Sequence, residues 1–253
     1  MKAKIFYIKF LFCFFTLIKA QNNRLYNYNQ IGWYNYFGTF KLHNKISLHT
    51  EYQFRRTNFI TNWQQGLLRV GLNYQIHQST QIRIGYGNIE TFSYGKIPIN
   101  KFGKTFTENR SFVVVTTNHN INKLEISHRY MLEQRWLGQF KDSAAKHEDY
   151  FSYSNRVRYQ IRLQIPLNKT DSLNQKQFYI ATYNELFVGF GKNVVESVFD
   201  QNRIGALIGY RINKHIKFEL GYLNQLVHLN RRVNNKNIFQ SNQGVILNLN
   251  FNY

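Results

Sequence analysis

The sequence predicts an all-β chain: a transmembrane antiparallel β-barrel of ten to twelve strands with a polar, Arg/Glu-rich lumen, short turns at its periplasmic end and longer extracellular loops. Three observations carry this. Apolar and polar residues alternate with a period of two through one segment after another, which gives each ribbon one greasy and one ionic face. No stretch sustains a helical period, and Tyr and Phe dominate an aromatic content of 17%, which suits strands. Short and long connections take turns along the chain, as in barrels that show turns to the periplasm and loops to the outside.

Residues 1–20 read as a secretory signal peptide: Lys2 and Lys4, an apolar run over 10–18, then Ala20 before polar Gln21. That run is too short to cross a bilayer as a helix. Residues 21–253 are then the barrel domain. The single cysteine, Cys13, falls in the leader, so the mature chain offers no disulfide, thiolate metal site or cysteine nucleophile.

The first alternating segment, 29–37, carries Trp33. In 45–56, Ile46, Leu48, Tyr52 and Phe54 oppose Ser47, His49, Glu51, Gln53 and Arg55. In 63–75, Leu68, Val70, Leu72 and Tyr74 oppose Arg69, Gly71, Asn73 and Gln75; 81–91 begins Ile82, Ile84 and Tyr86 against Arg83, Gly85 and Gly87. After 108–119 comes 123–136, KLEISHRYMLEQRW, with Leu124, Ile126, Tyr130 and Leu132 on one face and Glu125, Arg129, Glu133 and Arg135 on the other. Residues 150–166 alternate most regularly, setting Val157, Tyr159, Ile161, Leu163 and Ile165 against Arg156, Arg158, Gln160, Arg162 and Gln164. Segments 177–189, 201–212, 215–228 and 244–253 complete the series.

Eleven candidates conflict with the even strand numbers of bacterial barrels. Either 29–37 stays outside the barrel, or a long loop hides a twelfth strand, or the first and last strands run parallel around an odd total. The long loops are expected at 92–107, 137–149, 190–200 and 229–237.

A soluble sandwich would also bury one strand face. Strands near the bilayer requirement of about 9–11 residues, and several arginines on each polar face, favour grease outward and charge inward. The expected location is the outer membrane of a Gram-negative bacterium. The chain ends on an alternating strand with an aromatic residue, Tyr253, the pattern of a C-terminal signal read by barrel-assembly machinery.

Formal net charge is +20, and loss of Lys2, Lys4, Lys9 and Lys19 with the leader leaves +16. Such a balance asks for an anionic partner. The basic residues are spread through strands and no nucleic-acid motif is present, so lipopolysaccharide phosphates, outer-membrane lipid or a lumenal solute are the expected partners. Loop cations Lys96, Lys101, Lys104, Lys141, Lys146, Arg231, Arg232 and Lys236 are candidates for the lipopolysaccharide contact.

With polar faces inward, the lumen holds an ionic cluster: Glu108, Arg110, Arg129, Glu133, Arg135, Arg156, Arg158, Arg162, Arg203 and Glu219, joined by Glu51, Arg55, Arg69, Arg83, Arg211 and Lys217. A hairpin with His119 opposite Leu124 makes positions summing to 243 neighbours and sets Glu108 beside Arg135 and Arg110 beside Glu133. Cross-strand opposite charges stabilise a sheet modestly, and bidentate Arg–carboxylate pairs stiffen it further.

Glu108–Arg110 (ENR), 128–136 (HRYMLEQRW), 155–167 (NRVRYQIRLQIPL), 184–187 (NELF) and 199–210 (FDQNRIGALIGY) resemble the signature strands of an uncharacterised family of exported bacterial barrels, domain of unknown function twenty-four-ninety. The resemblance covers nearly the whole mature chain. It implies an outer-membrane barrel without an assigned activity, and no catalytic residues.

The residues themselves nominate none. Ser127 and His128 are adjacent and so point to opposite faces, and the histidines show no metal spacing. No cofactor is expected. A narrow channel for small anionic solutes leads the functional expectations. A barrel whose long arginines fill its lumen, with a structural or surface-interaction role, is the alternative, and a hydrolase ranks third.

Overall fold

The computed structural model describes residues 23–168 and 176–253; the expected leader at 1–20 lies outside the described residues. All regular structure within them is β: β1 (Arg24–Lys41), β2 (Ile46–Thr57), β3 (Asn62–His77), β4 (Thr80–Thr91), β5 (Phe106–Ile121), β6 (Leu124–Gln139), β7 (Tyr150–Pro166), β8 (Gln177–Phe190), β9 (Phe199–Arg211), β10 (Ile216–Val233) and β11 (Lys236–Asn252). Every strand pairs antiparallel with its sequence neighbours. The eleven strands close into one barrel where β1 meets β11 in parallel, Ile31 beside Gly244 and Asn35 beside Asn248. Of the three ways to reconcile eleven segments, this is the odd total with parallel closure. Residues 29–37 are the middle of β1.

Turns explain where the expected boundaries shift. The 229–237 stretch is not a long loop: β10 and β11 continue through it to a tight turn at Asn234–Asn235, both residues at positive φ (49° and 59°). That is the backbone a two-residue hairpin turn requires, and asparagine tolerates it. The β5–β6 hairpin likewise runs two residues further than expected, to Ile121 opposite Leu124, with Asn122 at φ 54°. Its neighbours therefore sum to 245, which sets Arg110 opposite Arg135 and Glu108 opposite Leu137. A shift of two keeps every side chain on its expected face and changes only its partner.

The barrel wall is uneven. At the loop end, β1, β10 and β11 extend past their neighbours, and residues 92–105, between β4 and β5, lean against this taller wall. The Tyr94 hydroxyl donates to Gln240 Oε1 at 2.8 Å, Gln240 Nε2 donates to the Ile97 carbonyl at 2.8 Å, and Arg231 donates to the Pro98 carbonyl at 2.6 Å. Ile97 and Ile99 pack with Val227, Leu229 and Ile238 beneath them. Burial pushes the Tyr94 phenol up from its ordinary pKa, so it stays a neutral donor. Three backbone amides of the β8–β9 connection, Val195 to Ser197, converge on Asn230 Oδ1.

Outside, the apolar faces are exposed: Leu68, Val70 and Leu72 on β3, Ile84 and Tyr86 on β4, Tyr130 and Leu132 on β6, Ile204 and Ile208 on β9. Toward the loop end, this belt gives way to hydrogen-bonded polar pairs on the outer surface, Asn88–Asn109 at 2.9 Å and Ser111–Gln134 at 2.8 Å.

The parallel seam depends on a glycine. A Cβ on Gly244 would stand 1.7 Å from the Ile31 carbonyl oxygen across the β1–β11 junction, whereas one on Gly66 would meet nothing nearer than 3.8 Å. Overpacking of this kind costs about 1–3 kcal/mol. Gly244→Ala should lower the melting temperature by on the order of 5 °C, with Gly66→Ala close to wild type, as read by circular dichroism.

Candidate functional site: the ionic lumen and the cavity above it

Alternation places the charges. On β6, Met131 and Glu133 point inward between outward Tyr130, Leu132 and Gln134; on β7, Ser154, Arg156 and Arg158 do the same. The adjoining walls contribute Glu108 and Arg110 from β5, Arg69 from β3, and Glu51, Gln53 and Arg55 from β2, all buried.

Glu133 is the hub. It is fully buried, and four guanidiniums surround its two oxygens: Arg156 at 2.7 Å and Arg158 at 3.1 Å from the neighbouring β7, Arg110 at 3.5 Å from β5, and Arg69 at 3.5 Å from β3, across the lumen. Four further carboxylates extend from it. Glu108 takes a fork from Arg110 (2.6 and 2.8 Å) and Arg135 (2.5 and 3.2 Å). Arg156 also reaches Asp200 at 2.6 Å. Glu185 receives Arg158 at 2.6 Å and Arg129 at 2.7 Å, with Arg203 at 3.7 Å. Across the lumen, Arg69 links the hub to Glu51 at 2.8 Å. Dense, charge-assisted contacts of this kind are the strong class of hydrogen bond.

The residues expected to share one cluster divide into groups. Glu108, Arg110, Glu133, Arg135, Arg156 and Arg158 meet as one network, with Arg129 and Arg203 attached through Glu185. The Glu108–Arg135 and Arg110–Glu133 contacts form diagonally, not between directly opposed residues. Arg162 and Glu219 form a separate group nearer the turn end, at 2.6 Å, where the Tyr179 hydroxyl (2.8 Å) and Asn248 (2.9 Å) also bond Glu219. Arg83 bonds Asn73 at 2.6 Å, and Arg211 lies opposite Lys217 in the β9–β10 register. Tyr253 is exposed; its ring stacks on His215 at 4.4 Å and its backbone amide bonds the Thr39 carbonyl at 2.7 Å.

Two anionic members, Glu185 and Asp200, escape a reading of the sequence. β8 is largely apolar on both faces, with Phe178, Ile180 and Leu186 outward and Tyr179, Ala181 and Phe187 inward, so its polarity does not declare which side Glu185 takes. Asp200 sits at the start of β9, where a loop was expected. Trp33 is likewise inward, its Nε1 donating to Gln64 Oε1 at 2.7 Å, with Arg55 stacked on its ring at 3.8 Å.

Above this layer, at the loop end, lies a cavity of about 330 Å³. Arg55, Glu108, Arg110, Arg156 and Arg203 line it, with Lys101 and Tyr94 from the leaning loop; Glu51, Glu133, Arg158 and Glu185 do not reach it. Among the described residues, no group of three His, Cys, Asp or Glu side chains is placed to hold a metal ion.

Fold and site together define a closed eleven-stranded barrel crossed by an internal network of arginines and carboxylates. The chain belongs to the family described as Protein of unknown function (DUF2490), whose model matches residues 30–237, from within β1 to the start of β11. No curated protein and no solved structure matches it.

Removing Glu133 leaves four buried guanidiniums without their shared counter-charge. Breaking a buried ionic group this way costs about 3–5 kcal/mol. Glu133→Ala should therefore show a large loss in denaturant-unfolding midpoint. Glu196→Gln, at the partly exposed Arg232–Glu196 pair (2.9 Å), should cost about 1 kcal/mol or less.

Proposed function

We propose that this chain is an outer-membrane β-barrel whose lumen is closed by its own ion-pair network, and that its role is carried by the structured loop end and not by an open pore. The observation that carries this reading is the layer around Glu133. Glu133 and Phe187 are 0% exposed, Arg156 1% and Arg55 3%, and the loop-end cavity is lined by Arg55, Arg110, Arg156 and Arg203 without reaching Glu133 or Phe187. Trp33 and Phe187 fill the lumen beside the ion pairs, with Arg203 against both rings at 4.9 and 4.5 Å and Arg158 also on Phe187 at 4.5 Å.

The outer-membrane assignment rests on the exterior. A belt of exposed Leu, Ile, Val and Tyr encircles the wall, far more apolar surface than a soluble monomer shows to water. Charge faces inward and grease outward, the arrangement of a barrel in lipid. The family match adds no activity to this reading. A narrow channel for small anions would require water to pass side chains that are here packed on one another.

Purified protein in planar bilayers separates the two. The closed barrel gives no stepwise conductance as wild type. Glu133→Ala combined with Arg156→Ala, which removes the middle of the layer, opens steps. Anion-selective steps from the wild-type protein would sink the closed-lumen reading and establish the channel.

A further inference from the structure

The charge of the loop-end cavity is unbalanced in a particular place. Glu108 is committed to Arg110 and Arg135, and Asp200 to Arg156. Of the other arginines on the lining, Arg231 is spent on the Pro98 carbonyl, and two, Arg55 and Arg203, have no carboxylate within hydrogen-bond reach. Arg55, 3% exposed, is held by neutral amides: its Nη1 donates to Gln65 at 2.5 Å, and its Nε to Gln53 at 2.9 Å. Arg203, 8% exposed, has a carboxylate no nearer than 3.7 Å, and its Nε is buried without a hydrogen-bond partner. Both guanidiniums stack on the Trp33 ring, at 3.8 and 4.9 Å from its centroid. Two like charges are thus gathered about one indole, at a cost in self-repulsion and desolvation that a shared anion would offset.

The rest of the lining narrows the chemistry. Gln64, Gln65, Gln201 and Gln225 bring amides, which both donate and accept, around the arginines; Phe106 and Phe140 add aromatic surface. Amides suit hydroxyl groups, aromatic rings suit the C–H face of a sugar, and the volume lies at the lower end of small-molecule sites. We infer that the cavity is a binding site for an acidic monosaccharide, its carboxylate or phosphate held by Arg55 and Arg203 and its hydroxyls by the surrounding glutamines. The leaning loop 92–105 adds Tyr94, Ile99, Asn100 and Lys101 to the lining.

Titration calorimetry with the purified full-length protein tests this, using glucuronate, glucose 6-phosphate and neutral glucose as probes. Saturable binding of at least one acid is expected, with a Kd of about 0.01–1 mM and no heat from glucose; which acid binds identifies the anionic group. Arg203→Gln should weaken that binding about thirtyfold or more. Should that variant fail to fold, Lys101→Ala decides, because Lys101 is an exposed loop residue whose cation–π partner is Phe102, the next residue in the chain; it should weaken binding several-fold. Absence of binding by both acids, equal binding of glucose, or unchanged affinity in the folded variants overturns the site. A barrel that conducts yet binds an acid here would overturn the closed lumen and leave this inference standing.

Discussion

One carboxylate holds the interior of this barrel together. Glu133 on β6 is reached by arginines from β3, β5 and β7, so it ties together the two adjacent strands and one across the lumen. A lumen lined by arginine alone would repel itself. Set around a single buried anion and its satellites Glu51, Glu108, Glu185 and Asp200, the same side chains become bracing. Their length matters as much as their charge, because the guanidinium fork can meet a carboxylate from the far wall while keeping planar, paired geometry.

The lumen is asymmetric as a result. Most ion pairs occupy the β2–β8 side, with Asp200 and Arg203 on β9 and Glu219 on β10 beyond it, while Ile31, Trp33, Leu207, Leu223 and Ile246 pack with Tyr179 and Ala181 of β8 into an apolar cluster. Arg55 and Arg203 stand at the border, stacked on Trp33. That border opens upward into the loop-end cavity, which explains why the cavity inherits positive charge and not a balanced mixture.

Much of this was legible in the sequence because the strand period is short and strict. KLEISHRYMLEQRW assigns Glu133 and Arg135 to the same face as Met131 whatever the neighbouring strand does, and it resisted a two-residue error in register for the same reason. What the sequence hid has a physical cause in each case. The parity of Glu185 is masked by a strand apolar on both faces. The β10–β11 hairpin is masked by a polar, Asn-rich stretch, 230–237, whose turn is made by two asparagines without a glycine. The contact between Glu133 and Arg69 joins strands that are not neighbours in the sheet, and no pairwise register arithmetic along the chain reaches it. The leaning of 92–105 onto Gln240 and Asn242 is equally non-local, and with it the cavity.

The parallel seam between β1 and β11 has a consequence for sidedness. An even-stranded barrel returns its last strand to the rim from which the first set out. With eleven strands the chain finishes on the opposite rim. Tyr253 emerges among the short turns, and whatever precedes Arg24 leaves the wall beside the Asn234–Asn235 hairpin, at the loop end. The two ends of the barrel domain therefore belong to different compartments of any membrane that it crosses.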